Sequence, residues 1–278
     1  MVVFPYAKIN LGLHVLRLRE DGYRDISTVM VPVPLHDVLE VVEDRTLPDG
    51  EAIMTRSGIP VPGDPKNDLC LKAVALLRAD RPIPGLRIHL HKHIPIGAGL
   101  GGGSSDGAHT LLALNELLDL HLPSPVLHAY ASALGSDCPF FLERGAQLAG
   151  GRGEVLTPIT PRIAGWWLML VDPGVHVSTA EVYAHTPPNA EQVDLREVLT
   201  AHQPSEWTGL VRNVMEDFVL GAYPQVAAAK RSIAARGASY VSMSGSGASV
   251  YGLFEKEPVM PELMAGQRAW VMRFEQDQ

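Results

Sequence analysis

The chain has 278 residues, 46% hydrophobic and 19% charged, which excludes a disordered or low-complexity protein and leaves ample apolar content for a core. The formal charge is −8 and no cluster of Lys and Arg stands out, which excludes binding nucleic acid through a broad basic face. An anionic ligand would have to be held by local backbone dipoles and a few cations.

Along the chain, Ile9, Leu11, Leu13 and Val15 alternate with Asn10, Gly12, His14 and Leu16, the period of a strand. Asp21-Gly22 is a hairpin turn signal, and 26–33 resumes as a second strand. Further strands are expected at 36–42 and 52–55. Asn67-Asp68 then caps a helix with Leu69, Ala73, Val74, Leu76 and Leu77 on one side. Leu86, Ile88 and Leu90 alternate again, with His89, His91 and His93 spaced at two on the other face. Alternate histidines can chelate zinc, but no ligand from another element is evident, so the face reads as solvated.

Helical spacing follows over 105–120 through Ala108, Leu111, Leu112, Leu114, Leu117 and Leu118, and another helix covers 124–134. Short strands are expected at 146–149 and 154–156. Two prolines and a glycine over 157–165 mark a domain boundary, dividing the chain into 1–158 and 159–278. The second half reads as a strand at 166–171, helices at 194–201, 207–220 and 225–235, strands at 239–242 and 249–254, a helix, and a last strand at 270–274. Residues 184–205 are polar and contain prolines, suiting either a mobile flap or a variable loop. Arg212, Asn213, Glu216 and Asp217, on the 207–220 helix, read as surface or interdomain polar contacts. The mixture of strands and helices predicts an α+β fold in layers.

The apolar stretch at 166–171 is far too short to span a membrane. The N-terminus lacks the features of an export signal. Cys70 and Cys138 could form one bridge, but a chain of this size does not need it, so a reducing compartment and a cytoplasmic protein with no membrane or nucleic-acid partner are expected. Cys138 precedes Pro139, Phe140 and Phe141 and reads as a small core residue.

The sharpest feature is the run Pro95, Ile96, Gly97, Ala98, Gly99, Leu100, Gly101, Gly102, Gly103, Ser104, Ser105, between an expected strand and an expected helix. Glycines let successive N–H groups converge into an anion nest, and a helix starting at Ser104 or Ser105 adds unpaired N–H groups and the positive end of its dipole. Together these make a phosphate site. Ser104 and Ser105 can cap the helix, bond a phosphate or reach a metal ion. Gly97, Gly99 and Gly102 match the dinucleotide fingerprint G-x-G-x-x-G, but Pro95 interrupts the approach and His121-Leu122-Pro123 stands where the next strand should begin. A Gly-Lys-Ser/Thr phosphate loop is absent.

This run resembles the second motif of the GHMP kinase superfamily. Pro5-Tyr6-Ala7-Lys8-Ile9-Asn10-Leu11 resembles the first motif and Ser244-Gly245-Ser246-Gly247-Ala248-Ser249 the third, in the right order. Asp21-Gly22-Tyr23, Asn67-Asp68-Leu69, Gly135-Ser136-Asp137-Cys138-Pro139-Phe140-Phe141 and Asp172-Pro173-Gly174 narrow the likeness to one branch. Its members phosphorylate the 2-hydroxyl of 4-diphosphocytidyl-2-C-methyl-D-erythritol in the non-mevalonate route to isoprenoids.

The resemblance implies a ribosomal-S5-like N-terminal domain, a ferredoxin-like C-terminal domain and an active site in the cleft between them. It implies ATP as donor, with Mg²⁺ held by phosphate oxygens, waters and Ser104 or Ser105 rather than by a dedicated carboxylate. Lys8 and Asp137 match the catalytic pair, with Asn10 in support. Alone, Asp137 reads as a turn residue and Lys8 as a surface charge. Tyr23 and Tyr183 match an aromatic sandwich for cytosine, Thr179 lies near the phosphate or polyol, and Gly245 and Gly247 are assigned to the substrate. Where relatives commonly carry histidine after the tyrosine, this chain has Arg24, which only donates hydrogen bonds. A kinase for homoserine or a mevalonate-type alcohol, or a nucleotide-binding regulator of the same fold, are the alternatives.

Overall fold

The structure, a computed structural model, describes residues 1–189 and 193–275. In chain order its elements are β1 (Val2–Val3), β2 (Tyr6–Leu18), β3 (Arg24–His36), β4 (Val38–Glu43), β5 (Ala52–Gly58), α1 (Leu69–Asp80), β6 (Leu86–Lys92), α2 (Gly102–Leu117), α3 (Ser124–Leu134), β7 (Gln147–Gly150), β8 (Val155–Pro158), β9 (Trp167–Asp172), α4 (Thr179–His185), α5 (Leu195–Ala201), α6 (Glu216–Ala222), α7 (Pro224–Ala234), β10 (Tyr240–Met243), β11 (Val250–Phe254) and β12 (Arg268–Arg273). They form two compact units, both α+β. The first comprises Met1–Ala7, Pro34–Ile96 and Gly101–Arg144; the second comprises Lys8–Val33, Gly97–Leu100 and the described residues from Gly145 onward.

The first unit is built on a sheet of order β1-β4-β6-β5, with β5 parallel to β6 and the other pairs antiparallel. Alternation along β6 buries Leu86, Ile88 and Leu90 on one face, and Lys92 continues in phase on that same face. Asp68 caps α1 by accepting the Cys70 amide, as Asn67-Asp68 suggested, and Cys70, Ala73, Val74 and Leu77 turn inward. Helices α1 and α2 approach closely at Gly107, where a Cβ would come within 2.9 Å of Leu69 Cβ.

The second unit holds two sheets. One has the order β2-β3-β7-β8, with β2 and β3 joined by the tight turn that Asp21-Gly22 signals. The other has the order β10-β11-β9-β12, with every pair antiparallel. Met169, Val171, Val250 and Phe254 from this sheet share a core with Val226, Ala229 and Ile233 of α7 and with Leu13, Val15 and Ile26.

Two expectations fail locally, and one helix was not foreseen. Of the expected 207–220 helix only 216–220 is helical, within α6 (Glu216–Ala222). Gly209 takes a positive φ, and Asn213 bonds the Met215 amide with its side chain, which competes with helical pairing. No helix forms between β11 and β12, where Pro258 and Pro261 remove two backbone donors. Helix α4 was not anticipated, although Ser178 and Glu181 have capping-box spacing and Ser178 accepts the Glu181 amide. Of the 184–205 segment, 190–192 lie outside the described residues, and 195–201 form α5 as expected.

Gly252, in the strand under α7, tests this packing. A Cβ there would lie 2.3 Å from Ile233 Cγ2 and 3.1 Å from Ala238 Cβ. Gly252→Ala should destabilise the protein by about 1–3 kcal/mol through overpacking, read from urea denaturation; an unchanged midpoint would contradict the packing.

Candidate active site

Within the second unit, residues from all three motifs are hydrogen-bonded to one another. Lys8 is 3% exposed, and its Nζ donates to Asn10 Oδ1 at 2.6 Å. Asn10 Nδ2 donates to Thr28 Oγ1 at 3.0 Å, which fixes the amide so that its oxygen faces the lysine. The Lys8 amide donates to Leu100 O at 3.0 Å, tying the first motif to the second. Ser244 Oγ accepts the Asn10 amide at 3.2 Å and donates to Gly99 O at 2.8 Å, joining the third motif to both. The Ser249 amide donates to Ala98 O at 3.1 Å. Gly99 has φ +77°, and a Cβ there would sit 2.0 Å from Ser244 O, so glycine is required twice over. The carbonyls of Ala98, Gly99 and Leu100 are thus anchored in the fold. Gly97 is exposed, as is Ile96 of the first unit, whereas Pro95 is buried.

In the first unit the helix after the loop starts earlier than expected, at Gly102 rather than at Ser104 or Ser105. Its N-cap is Gly101, with φ +69° and no capping side chain, so no serine closes off the first-turn amides. Gly103 is exposed, with nothing within 4 Å of where a Cβ would be. Ser105 is fully buried, its Oγ 3.3 Å from His109 Nδ1, whereas Ser104 is half-buried. Asp137 is half-buried at the start of the short 3₁₀ turn Cys138–Leu142. Cys138 is buried as expected. Desolvation, opposed by a hydrogen bond from Ser104 and reinforced by Asp137, pushes its thiol up to about 12.

Beneath the start of α2 lies a buried ionic group that the sequence reading missed. Lys92 Nζ pairs with Asp37 and, at 2.7 Å, with Asp106. Asp37 also accepts the Ile94 amide at 2.9 Å, and a Cβ on Gly102 would lie 3.0 Å from Lys92 Nζ. One lysine faces two carboxylates, and Asp106 Oδ1 has no partner. Burial, opposed by Lys92 and reinforced by the Asp37 charge, raises Asp106 to about 8. A lysine in phase with Leu86, Ile88 and Leu90 was the available signal.

The substrate candidates belong to the second unit. Tyr23 is 55% exposed, with the Arg152 guanidinium 4.8 Å from its ring centre. Arg24 lies 5.4 Å from the centre of the Tyr183 ring, and its buried Nε has no hydrogen-bond partner. Each tyrosine therefore carries an arginine on a face, and Arg152 was not anticipated. Thr179 and Tyr183 share α4, and Thr179 Oγ1 is 2.9 Å from Ser246 Oγ in the third motif. Gly245 and Gly247 both take positive φ. Asn213 and Glu216, read from the sequence as surface or interdomain contacts, are instead turned inward onto the strand that leads into this loop.

His89 and His91 bond Thr55 and Ser57 across the sheet. Among the described residues no group of three or more His, Cys, Asp or Glu could hold a metal ion.

Comparison with known proteins shows the family. Residues 68–145 match the GHMP kinases N terminal domain and residues 194–263 the GHMP kinases C terminal domain, so fold and motifs together define a GHMP kinase. The chain is 41% identical over 264 residues to 4-diphosphocytidyl-2-C-methyl-D-erythritol kinase of Bacteroides thetaiotaomicron, covering 94% of this chain and 95% of that one. It is 44% identical to the enzyme of the same name from Azobacteroides pseudotrichonymphae, covering 92% and 94%. A crystal structure of 4-(cytidine 5'-diphospho)-2C-methyl-D-erythritol kinase superposes with TM-score 0.78 at 31% identity over 98% of both chains. A mevalonate kinase structure, at TM-score 0.70 and 14% identity over 99% of this chain and 100% of that one, shares the fold. The chain belongs to the GHMP kinase family, in its 4-diphosphocytidyl-2-C-methyl-D-erythritol kinase branch.

The buried triad makes stability depend on pH. Between the ordinary carboxylate value of 3.8 and about 8, the native chain keeps on Asp106 a proton that the unfolded chain has released. Stability from this group therefore declines as pH rises through that window and levels off above it. Asp106→Asn should flatten the decline in the urea midpoint measured from about pH 4.5 to 9. An identical slope in both proteins would contradict the assignment.

Proposed function

We infer that the chain transfers the terminal phosphate of ATP to the 2-hydroxyl of 4-diphosphocytidyl-2-C-methyl-D-erythritol, a step of the non-mevalonate route to isoprenoid precursors. The observation that carries this reading is the Ser244 hydroxyl bridging the Asn10 amide and the Gly99 carbonyl, which unites the three kinase motifs in one hydrogen-bonded group. Phosphoryl transfer needs position and charge neutralisation more than covalent chemistry, and a rigid glycine main chain supplies position.

Main-chain amides over 96–104 hold the ATP phosphates in this proposal, the Ser105 amide being taken by Gly101 O, and those at the start of α2 add the positive end of the helix dipole. Asp137 accepts the proton of the attacking hydroxyl. Lys8, its Nζ aimed by Asn10, orients the nucleophile and neutralises developing charge. Tyr23 and Tyr183 stack on the cytosine, and Arg24, with an unpaired buried Nε–H, serves as a donor to its carbonyl oxygen or N3. Thr179, Gly245 and Gly247 face the polyol and its phosphates. Mg²⁺ would be held by ATP oxygens and water with Ser104, the more open of the two serines, and would supply charge neutralisation.

The division into domains 1–158 and 159–278 belongs to the same proposal: the two family matches fall on either side of it, whereas the compact units group Lys8–Val33, Gly97–Leu100 and 145–158 with the later residues. A cytoplasmic setting is supported by two free, buried thiols. Among the described residues no helix is long and apolar enough to cross a membrane.

The direct test is ADP release by the purified protein with ATP, Mg²⁺ and each candidate alcohol. Turnover with the cytidyl-methylerythritol substrate and none with homoserine or mevalonate is expected; the reverse pattern would refute the substrate. Asp137→Asn should lower kcat by about 10²- to 10⁴-fold while leaving ATP affinity near the parental value, and equal turnover would refute the base.

A further inference from the structure

The third-motif loop, residues 244–249, has only small side chains, and Ala248 alone among them joins the apolar core, so apolar packing does little to fix its path. Two of its glycines take positive φ, so its path is unusual and must be enforced from outside. The segment that enters α6 enforces it. Asn213 is 1% exposed, and its Nδ2 donates both to Met243 O at 2.9 Å and to Gly245 O at 2.8 Å. Its Oδ1 accepts the Met215 amide at 3.0 Å, which fixes the amide plane. Glu216 Oε1 accepts the Met243 amide at 2.6 Å and the Ser242 hydroxyl at 3.2 Å, and Oε2 receives Lys230 Nζ at 2.5 Å. The end of β10 and the first turn of the loop are thereby gripped from one side, through both the amide and the carbonyl of Met243.

From the other side the same stretch is bonded to the first and second motifs. Ser244 reaches Asn10 and Gly99. Gly245 lies so near them that a Cβ would be 3.3 Å from Asn10 Oδ1 and 3.4 Å from Gly99 Cα. A shift of Met243 or Gly245 therefore moves Ser244, whose hydroxyl accepts the Asn10 main-chain amide and lies 3.5 Å from the Asn10 Oδ1 that receives Lys8, and with it the limb that carries Gly97.

We propose that Asn213 and Glu216 are positioning residues for phosphoryl transfer: a polar brace that sets the third-motif loop and, through Ser244, the alignment of Lys8 and of Gly97–Leu100. Neither side chain touches the reacting atoms. The inference rests on the kinase reading above. Glu216 acts by accepting from the Met243 amide, so a neutral isostere that keeps an oxygen there should preserve much of the effect. Asn213 acts by donating twice, which aspartate cannot do although it still accepts from Met215.

The test is steady-state kinetics of the full chain with ATP and the cytidyl-methylerythritol substrate, alongside thermal midpoints. The parent's turnover tests the kinase reading, and the brace is judged only by the ratio of each variant to the parent. Glu216→Ala should lower kcat by about tenfold to a hundredfold with KM for ATP changed far less, and Glu216→Gln should recover most of that loss. Asn213→Asp should show a similar kcat loss. Should Glu216→Ala unfold, Glu216→Asp, one methylene shorter with its charge kept beside Lys230, takes its place and should also lose about tenfold. Parental kcat in the Ala or Asp variant, Gln no better than Ala, or a lowered midpoint with unchanged kcat would each overturn the proposal.

Discussion

One hydroxyl carries more of this structure than its size suggests. Ser244 donates to Gly99 O and accepts the Asn10 amide, so three segments that are far apart in sequence meet on one oxygen. The contact is possible only because Gly99 has no side chain, since a Cβ would lie 2.0 Å from Ser244 O. From this point the geometry propagates outward. Asn10 orients Lys8, Leu100 accepts the Lys8 amide, and the carbonyls of 98–100 are consumed in holding the loop to the fold. A loop anchored through its carbonyls presents its amides with little freedom, which is what an anion nest requires.

The same economy governs the start of α2. A helix usually closes its first turn with a serine, threonine or aspartate side chain, which would occupy amides needed for a phosphate. Here the N-cap is glycine, and the polar groups lie below the helix as the Asp37, Lys92 and Asp106 triad. That triad is costly to bury and leaves one carboxylate oxygen unpaired. Its place under Gly102 and its bond to the Ile94 amide tie the end of β6 to the helix that begins after the loop.

Much of this was legible in the sequence because glycine is a demanding residue. The positions at 97, 99 and 101 could be read as a phosphate loop, and all three take positive φ. Alternation of Ile9, Leu11, Leu13 and Val15, and the Asp68 cap, translated directly into β2 and α1. What was not legible depended on partners distant in sequence. Asn213 and Glu216 fit the polar face of an amphipathic helix, and only the fold reveals that both turn to Met243. Trp207 fits a helical period yet is fully buried outside any helix. Local signals for the start of α4 and for a buried lysine at 92 were present, but stronger patterns nearby masked them. The arginines over Tyr23 and Tyr183 lay beyond any pattern, because stacking leaves no periodic trace.

The central claim is that main-chain amides at the start of α2 hold the nucleotide's phosphates, and Gly103 offers the cleanest test. The protein leaves open space where a Cβ would stand there, so Gly103→Val should fold with a parental thermal midpoint while its side chain blocks a phosphate. Calorimetric titration with ATP and Mg²⁺ should show affinity weakened by about tenfold or more relative to the parent. Parental affinity in that variant would contradict the account.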